Sequence, residues 1–235
     1  MPPEDKDSEM EQFAEGLESD RLIDIYVGDR SIPYKVSERL LVCISYYFLR
    51  AIKNEHLGNE KSGTLRFPDD DVEAWNALLF FKYWSYLPTC VDPQELRGNE
   101  EHRRKLIKYW ALGDKYDVKE FQDTVMLQLL RELAHQRTNL EAVKLAFENT
   151  APGSKLRRLY AEEVVYMVEE GKAWNHDHFD TFDGVPGFTS AYMHATNRYK
   201  LAEDADEFFH RTGKDGSWRD YMVGDRKDEG EKEEE

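Results

Sequence analysis

The chain has 235 residues, with 48 acidic and 32 basic side chains and a formal net charge of −16. This excess of negative charge disfavours binding to nucleic-acid phosphates or anionic membranes, because both require clustered Lys and Arg. With 40% hydrophobic and 13% aromatic residues, the chain suits one domain with extensions, and its core can fold without disulfide bonds.

The first predicted element is a β-hairpin that follows a disordered N-terminus. Residues 1–19 are polar and acidic and lack the apolar content that a core requires. The run Leu22–Val27 is apolar and rich in β-branched and aromatic side chains, and the following Gly28-Asp29-Arg30 is typical of a turn. Between residues 32 and 36 apolar residues recur at every second position, which predicts a second strand with one buried face.

Two short helices, a third strand and a series of longer helices come next. Ser37 and Ser45 can cap the two short helices, and residues 64–67 form a short strand before Pro68. Three longer helices are each predicted to begin where an Asp or Thr stands three residues before a Glu, which is the spacing of a capping box. These pairs are Asp70 and Glu73, Asp117 and Glu120, and Thr138 and Glu141. The Trp and Tyr residues of this region fall at helical spacing and are expected mostly in the core: Trp75, Tyr83, Trp84, Tyr86, Tyr109, Trp110 and Tyr116.

The C-terminal third contains one further helix and then less regular sequence. Residues 154–168 are predicted to be helical, and Trp174–Phe188, rich in His, Asp and Gly, is predicted to be a loop. From Asp225 onwards the chain has seven acidic and three basic residues, which is typical of a solvated tail. The predicted class is α+β, a small three-stranded sheet with packed helices. The predicted organisation is a disordered acidic N-terminus (1–19), a domain (20–135), a helical extension (136–172), a loop and candidate helix (173–210) and a disordered acidic tail (211–235).

The cysteines and the N-terminus indicate a compartment. Cys43 and Cys90 are too few for a disulfide framework, and Cys43 lies in an apolar run where a small buried residue is expected. The N-terminus lacks the apolar core of a signal peptide, and the longest aromatic-rich run, Leu78–Leu87, is far short of the ~20 residues of a membrane helix. The sequence therefore predicts an intracellular protein, cytoplasmic or nuclear, with reduced thiols.

Five short motifs of the N-terminal half occur in the order seen in a known family. They are Asp24-Ile25-Tyr26-Val27-Gly28, Val36-Ser37-Glu38-Arg39-Leu40-Leu41, Ser45-Tyr46-Tyr47-Phe48, Phe67-Pro68-Asp69-Asp70 and Ala111-Leu112-Gly113-Asp114-Lys115-Tyr116-Asp117-Val118. Through them residues 20–135 resemble a BTB/POZ domain, most closely of the fungal type, and residues 146–158 resemble the helical extension behind fungal members. The resemblance implies a BTB-like fold and a non-catalytic protein–protein interaction module without a cofactor. It also implies that the chain is an adaptor or a scaffold that binds itself or another protein.

Three features depart from the family pattern. Ser37 stands where many members have His, and only about 19 polar residues precede the fold where many dimeric members have a longer N-terminal helix and strand. The loop Leu57-Gly58-Asn59-Glu60 is one residue too long for the apolar-x-Glu triplet of cullin binders. The resemblance also leaves a substrate adaptor for a cullin-type ubiquitin ligase as an alternative function, and the longer loop weakens this alternative.

The candidate interaction surface comprises Asp24, Tyr46, Tyr47, Arg50 and Leu57. Asp24 interrupts an apolar strand, and an unpaired buried carboxylate would be costly. We therefore expect Asp24 either at an interface or in a local ion pair with Arg39 or Arg50. Tyr46 and Tyr47 precede Phe48, which should be buried, so the two tyrosines should be partly exposed, and exposed aromatic side chains make good anchors for a partner.

One segment has residue types that suit a metal site. His176, His178 and Asp180 could chelate a metal, which leaves a metal-dependent hydrolase as an alternative of another class. Their spacing is not that of a zinc finger or of a helix-borne metalloenzyme pair, so a polar surface loop is the simpler interpretation. Ser154 follows Gly153 but lacks the Gly-x-Ser-x-Gly context of a nucleophile. No catalytic, cofactor-binding or metal-binding residue is therefore predicted.

Overall fold

The computed structural model describes residues 10–11, 14–16, 18, 20–55, 63–88, 100–169, 171, 176–201 and 217–224, with the backbone alone for 54, 55, 176 and 177. The chain divides into two compact units, Met1–Val72 and Glu73–Glu235. The described elements confirm the predicted α+β class, with one three-stranded sheet and a larger number of helices. The limits predicted for the domain, its extension and the tails remain predictions.

The first unit contains the sheet. Its strands are β1 (Leu22–Val27), β2 (Tyr34–Ser37) and β3 (Thr64–Phe67), in the order β2-β1-β3. The predicted hairpin is confirmed, because β1 pairs with β2 in antiparallel register, whereas β3 runs parallel to β1. Alternate residues of β1 (Ile23, Ile25 and Val27) are fully buried, which explains why the central strand reads as β-branched and apolar.

Two short helices follow β2, namely α1 (Glu38–Ile44) and α2 (Tyr46–Glu55). Ser37 caps α1 as predicted, since its Oγ accepts a hydrogen bond of 3.1 Å from the Leu40 amide and donates one to the Asp20 carboxylate. Arg21 adds a 2.7 Å ion pair to Glu38 in the same turn. The side-chain cap predicted for Ser45 is wrong. Its Oγ is buried without a hydrogen bond to any described residue, and only its carbonyl accepts the Leu49 amide.

The second unit is helical over its described residues. Its α-helices are α3 (Val72–Trp84, starting at the last residue of the first unit), α4 (Glu100–Tyr116), α5 (Lys119–His135), α6 (Leu140–Glu148), α7 (Lys155–Glu169) and α8 (Phe188–Leu201). Two 3-10 helices cover His176–Phe182 and Ser217–Tyr221. Large buried aromatic side chains fill the core, with Trp75 against Tyr116 and Phe81 against Phe121 at ring separations of 5.7 and 5.4 Å.

The three predicted capping boxes place the helix starts too early. α3 begins at Val72, two residues beyond Asp70. α6 is capped by Asn139 rather than Thr138, since the Asn139 side chain accepts the Ala142 amide at 2.8 Å. The predicted capping role of Asp117 is wrong, because this residue ends the preceding helix instead.

Asp117 is the left-handed residue of a Schellman motif at the end of α4. Its φ is +54°, its amide donates to the Asp114 carbonyl at 3.3 Å, and the Val118 amide donates to the Gly113 carbonyl at 2.8 Å. Val118, the N-terminal flanking residue of α5, makes no side-chain cap. Asp is one of the few residues besides Gly that tolerate the left-handed conformation, so Asp117 can occupy this position at low cost.

The region predicted as a loop, Trp174–Phe188, is a 3-10 helix over residues 176–182, followed by a turn into α8. Its aromatic side chains explain the difference. Phe182 stacks on Phe188 at 3.9 Å, and Phe188 meets Phe147 of α6 at 5.4 Å. These contacts bury Phe182 and Phe188, so apolar packing holds a segment whose polar composition is typical of a loop.

Part of the tail predicted from residue 211 lies within the described residues. Residues 217–224 pack on the second unit, with Tyr221 and Met222 buried. The amides of Val223 and Gly224 donate to the Asp123 carboxylate of α5 at 2.7 and 3.2 Å. The acidic residues from 225 to 235, and most of residues 1–19, lie outside the described residues.

Candidate interaction surface

The start of α2 presents two tyrosines to solvent. Tyr46 and Tyr47 are 65% and 42% exposed, whereas the neighbouring Phe48 is fully buried, which confirms the predicted division. Phe48 and Ile52 lie one helical turn apart and face the core, so residues 46 and 50 share another face. The Arg50 guanidinium lies 5.6 Å from the centre of the Tyr46 ring. Three of the predicted site residues therefore form one exposed patch, called here the α2 patch: Tyr46, Tyr47 and Arg50.

Asp24 lies on the sheet face opposite the buried β1 side chains. Its carboxylate is 3.6 Å from Lys35, the residue directly across on β2, and its side chain is 37% exposed. The predicted partners Arg39 and Arg50 are therefore wrong, and the ion pair is a cross-strand one. Exposed pairs of this kind contribute about 0–1 kcal/mol, so Asp24 avoids a burial cost without adding much stability. The fifth predicted residue, Leu57, lies outside the described residues, as does the Leu57–Glu60 loop.

Sequence reasoning missed a second exposed aromatic group, at the end of α3. Tyr83, Trp84 and Tyr86 are 63%, 62% and 53% exposed, so the expectation that they are core residues is wrong. Tyr83 and Trp84 lie in the last turn of α3, and Tyr86 lies beyond the helix end, where Ser85 takes a left-handed φ of +58°. Phe80 joins the group through ring contacts with Trp84 at 6.3 Å and Tyr86 at 5.3 Å. The other aromatic residues of that prediction, Trp75, Tyr109, Trp110 and Tyr116, are buried as expected.

Cys43, like these aromatic residues, is exposed where the sequence predicts burial. Its position in an apolar run predicts a buried side chain, but the residue lies on the solvent-exposed side of α1. The apolar run around it is helical, and the inward positions of α1 are taken by Leu41 and Ile44. A continuous apolar run does not show by itself which of its members faces solvent.

The second unit also contains a buried group of ionisable side chains from three helices. His102 Nε2 of α4 lies 3.1 Å from Glu132 Oε1 and 3.0 Å from Gln128 Nε2, both on α5. Arg103 donates to the carbonyls of Arg137 and Gln136 at 2.9 and 3.2 Å. Tyr160 of α7 is fully buried, and this burial raises the pKa of its hydroxyl. His102 and Arg103 bind side chains of α5 and backbone carbonyls just beyond it, which favours a structural role, whereas the Tyr160 hydroxyl has no hydrogen-bond partner among the described residues.

A cavity of about 530 Å³ between α4 and α6 has a mixed lining. Four basic and four acidic side chains line it together with Leu145. Lys105 lies 2.8 Å from Glu73 and 3.5 Å from Glu101, and the hydrogen bond that Lys105 donates to Glu73 raises the pKa of this lysine. The charges of the wall largely satisfy each other, so the cavity selects neither an anion nor a cation.

The His176–Asp180 segment is the start of a 3-10 helix, in which His178 is half-buried. Among the residues whose side chains are described, no three His, Cys, Asp or Glu lie close enough to bind a metal ion. The side chains of His176 and Asp177 are outside that set. None of the described helices has both the length and the apolar character needed to cross a bilayer.

Comparison with protein-family models gives no match to this sequence. Comparison with curated proteins gives no significant match either.

Proposed function

We propose that this chain is a non-catalytic protein–protein interaction module of the BTB/POZ type, acting inside the cell as an adaptor or a self-associating scaffold. The proposal is supported by the order of elements that the resemblance implies: a hairpin, two short helices, a third strand beside the first, and then helices. The observation that carries it is the α2 patch. There two tyrosines and one arginine are exposed beside a well-packed Phe48.

The α2 patch has the composition of a binding hot spot. Tyr and Arg are among the residue types enriched where truncation costs most binding energy, because each buries a large surface and still forms polar contacts. The patch lies on a helix anchored by the fully buried Phe48 and the nearly buried Ile52, so a partner meets side chains on a rigid backbone. Such preorganisation lowers the entropy that binding would otherwise cost.

The test combines light scattering after size-exclusion chromatography with pull-down from cell extract. Wild-type protein is compared with Tyr46→Ala/Tyr47→Ala and with the control Tyr83→Ala, which removes an equally exposed tyrosine from the second unit. We expect the double variant to weaken self-association or partner capture at least about 30-fold, because loss of one hot-spot side chain costs about 2 kcal/mol or more. The control should bind like the wild type.

Thermal unfolding separates a binding effect from a folding effect. Tyr47 packs edge-on against Phe48 at 5.3 Å, so the double variant can lose some stability. Tyr46→Glu alone supplies a milder probe, because Tyr46 is the more exposed of the two. A wild-type chain that stays monomeric and captures no protein, or a folded Tyr46→Glu variant with unchanged binding, would contradict the proposal.

A further inference from the structure

A cavity of about 330 Å³ lies between the N-terminal parts of α7 and α8 in the second unit. Its described lining includes Arg157, Arg158, Arg198 and His194 and contains no Asp or Glu. In a chain with 48 acidic and 32 basic residues, this wall has the opposite charge to the chain as a whole. Its volume is at the lower end of the range for small-ligand sites, ~300–1,000 Å³.

Arg157 is the most buried part of the wall, with 6% exposure. Its Nε donates to Thr150 Oγ1 at 3.3 Å, its Nη1 to the Pro186 carbonyl at 2.9 Å, and its Nη2 to the carbonyls of Phe147 and Thr150. These bonds use four of the five N–H groups of a guanidinium, and every acceptor is neutral. Burial accordingly lowers the pKa of Arg157. Within the described residues its charge has no carboxylate partner, which is an unfavourable state for a buried ion.

The other two arginines share one buried carboxylate. Arg158 Nε and Arg198 Nη2 lie 2.9 and 2.7 Å from Glu162 Oε1, and Arg158 Nη2 also meets the exposed Asp220 at 3.1 Å. In the part of the chain that the structure describes, the Nη1 groups of both arginines make no hydrogen bond. The three guanidinium groups carry three positive charges and the two carboxylates carry two negative charges, so one positive charge remains even when His194 is neutral.

The N-terminus of α8 adds backbone donors to this wall. Gly187 precedes the helix with a φ of +81° and has no side chain with which to cap the first amides. A Cβ at Gly187 would lie 2.8 Å from Arg157 Nη1, so the glycine keeps the helix end close to the guanidinium. Amides at a helix N-terminus favour anions, and here they lie beside guanidinium groups with unused donors.

We propose that this cavity binds a phosphate group, carried either by a small phosphate ester or by a phosphorylated side chain. A phosphate group carries about −1.5 to −2 charges and three acceptor oxygens at neutral pH, which suits several arginines and backbone amides at once. A carboxylate has only two oxygens and is satisfied by a single guanidinium fork. The site lies in the second unit and is independent of the α2 patch.

The test uses inorganic phosphate as the probe for the full chain, at constant ionic strength maintained with chloride. Binding is measured by calorimetry and by phosphorus NMR line broadening, both of which report binding without any activity. Ser190→Asp places a carboxylate in the cavity wall, whereas Thr189→Asp places the same charge on the next residue, outside the lining. Both positions are exposed in the first turn of α8, so both variants should fold.

We expect saturable phosphate binding to wild type and to Thr189→Asp, and binding at least about tenfold weaker to Ser190→Asp. Glycerol phosphate and a phosphoserine peptide then identify the source, because the true carrier should bind more tightly than inorganic phosphate. Tighter binding of either glycerol phosphate or the phosphoserine peptide supports the proposal. It is overturned if binding is not saturable, if Ser190→Asp and Thr189→Asp bind alike, or if acetate binds as tightly as phosphate.

Discussion

Glu162 is predicted to be the most sensitive charged residue of the second unit. Its side chain is 1% exposed, and it accepts hydrogen bonds from Arg158 Nε at 2.9 Å, Arg198 Nε at 2.8 Å and the Tyr221 hydroxyl. Through these bonds one carboxylate joins α7 to α8 and to the 3-10 helix at residues 217–221. Replacement by Ala removes the shared acceptor from all three segments at once.

The expected cost follows from what the variant leaves behind. Breaking a buried ion pair by removal of one partner typically costs ~3–5 kcal/mol, because the other charge stays buried and unpaired. Here Arg158 and Arg198 are 28% and 38% exposed and can turn partly towards water, which lowers the cost. We therefore expect Glu162→Ala to reduce the free energy of unfolding by about 2–3 kcal/mol. For a chain of this size that corresponds to a fall in Tm of roughly 4–12 °C.

Urea unfolding followed by tryptophan fluorescence is the suitable assay. All five Trp residues lie beyond Val72, so the signal reports the second unit alone. Glu169→Gln, an exposed position on the same helix, is the control and should change stability by less than ~0.5 kcal/mol. Tyr221→Phe removes the hydroxyl donor, and a double-mutant cycle with Glu162→Ala should show a coupling of about 0.5–3 kcal/mol. A loss below ~1 kcal/mol, or strictly additive effects, would refute the reasoning.

Three further predictions concern single carboxylates. Asp117→Gly should raise the free energy of unfolding by about 0.5–1 kcal/mol, because Gly adopts the φ of +54° at lower cost, and a destabilised variant in urea unfolding would contradict this. Burial raises the pKa of Asp114 in the folded chain above its value in the unfolded chain. The protonated carboxyl group therefore stabilises the fold, and this contribution is complete below the unfolded pKa and is lost as pH rises through the folded pKa. Asp114→Asn should therefore be more stable than wild type at pH ~7 by about 0.3–1 kcal/mol, since it also removes a negative charge near the C-terminus of α4, and this advantage should vanish near pH ~3. A pH series of thermal melts checks the sign, and an advantage that grows in acid would contradict it. Asp24→Asn should cost less than ~1 kcal/mol, because the pair with Lys35 is partly exposed, and a larger loss in a melt of the variant would show that the carboxylate has a second structural partner.

Local sequence patterns predicted the first unit well. The period-two alternation in β2 and the β-branched run of β1 depend only on near neighbours, and both strands occur, although β2 begins at Tyr34 and Ile32 of the predicted alternation is exposed. Ser37 caps α1 for the same reason. The parallel pairing of β3 with β1 joins residues about 40 positions apart, for example Asp24 and Thr64, and no local pattern specifies it.

The errors in the second unit arise where one residue type suits two roles. Asp117 could cap a helix or adopt a left-handed turn, and the tertiary path selects the turn. Tyr83 and Trp84 lie in the last turn of α3 and Tyr86 lies beyond its end, and all three are exposed, so helical spacing alone does not show which aromatic side chains face the core. The buried role of Glu162 depends on partners 36 and 59 residues away, and no spacing rule covers such distances.

Arg158 and Arg198 belong both to the Glu162 network and to the proposed phosphate cavity. A change at Glu162 can therefore distinguish two explanations of phosphate binding, one based on net charge and one based on the orientation of these arginines. If net charge alone governed binding, Glu162→Gln would remove a negative charge near Arg158 and Arg198 and would tighten phosphate binding. If orientation governs it, the Glu162 carboxylate fixes Nε of both guanidinium groups and Nη2 of Arg198, while Asp220 holds Nη2 of Arg158. Both Nη1 groups, which make no hydrogen bond to a described residue, are then directed to a ligand. Gln keeps one acceptor oxygen but no charge, so its hydrogen bonds hold the two guanidinium groups less firmly. The ligand must then offset part of the ordering cost of two long side chains, about 0.5–1.5 kcal/mol each. Because orientation by a buried acceptor is a fixed property of the fold, whereas a single added charge is screened at an open cavity, we expect Glu162→Gln to bind phosphate more weakly than wild type. Tighter binding by this variant would show that the arginines need no positioning partner.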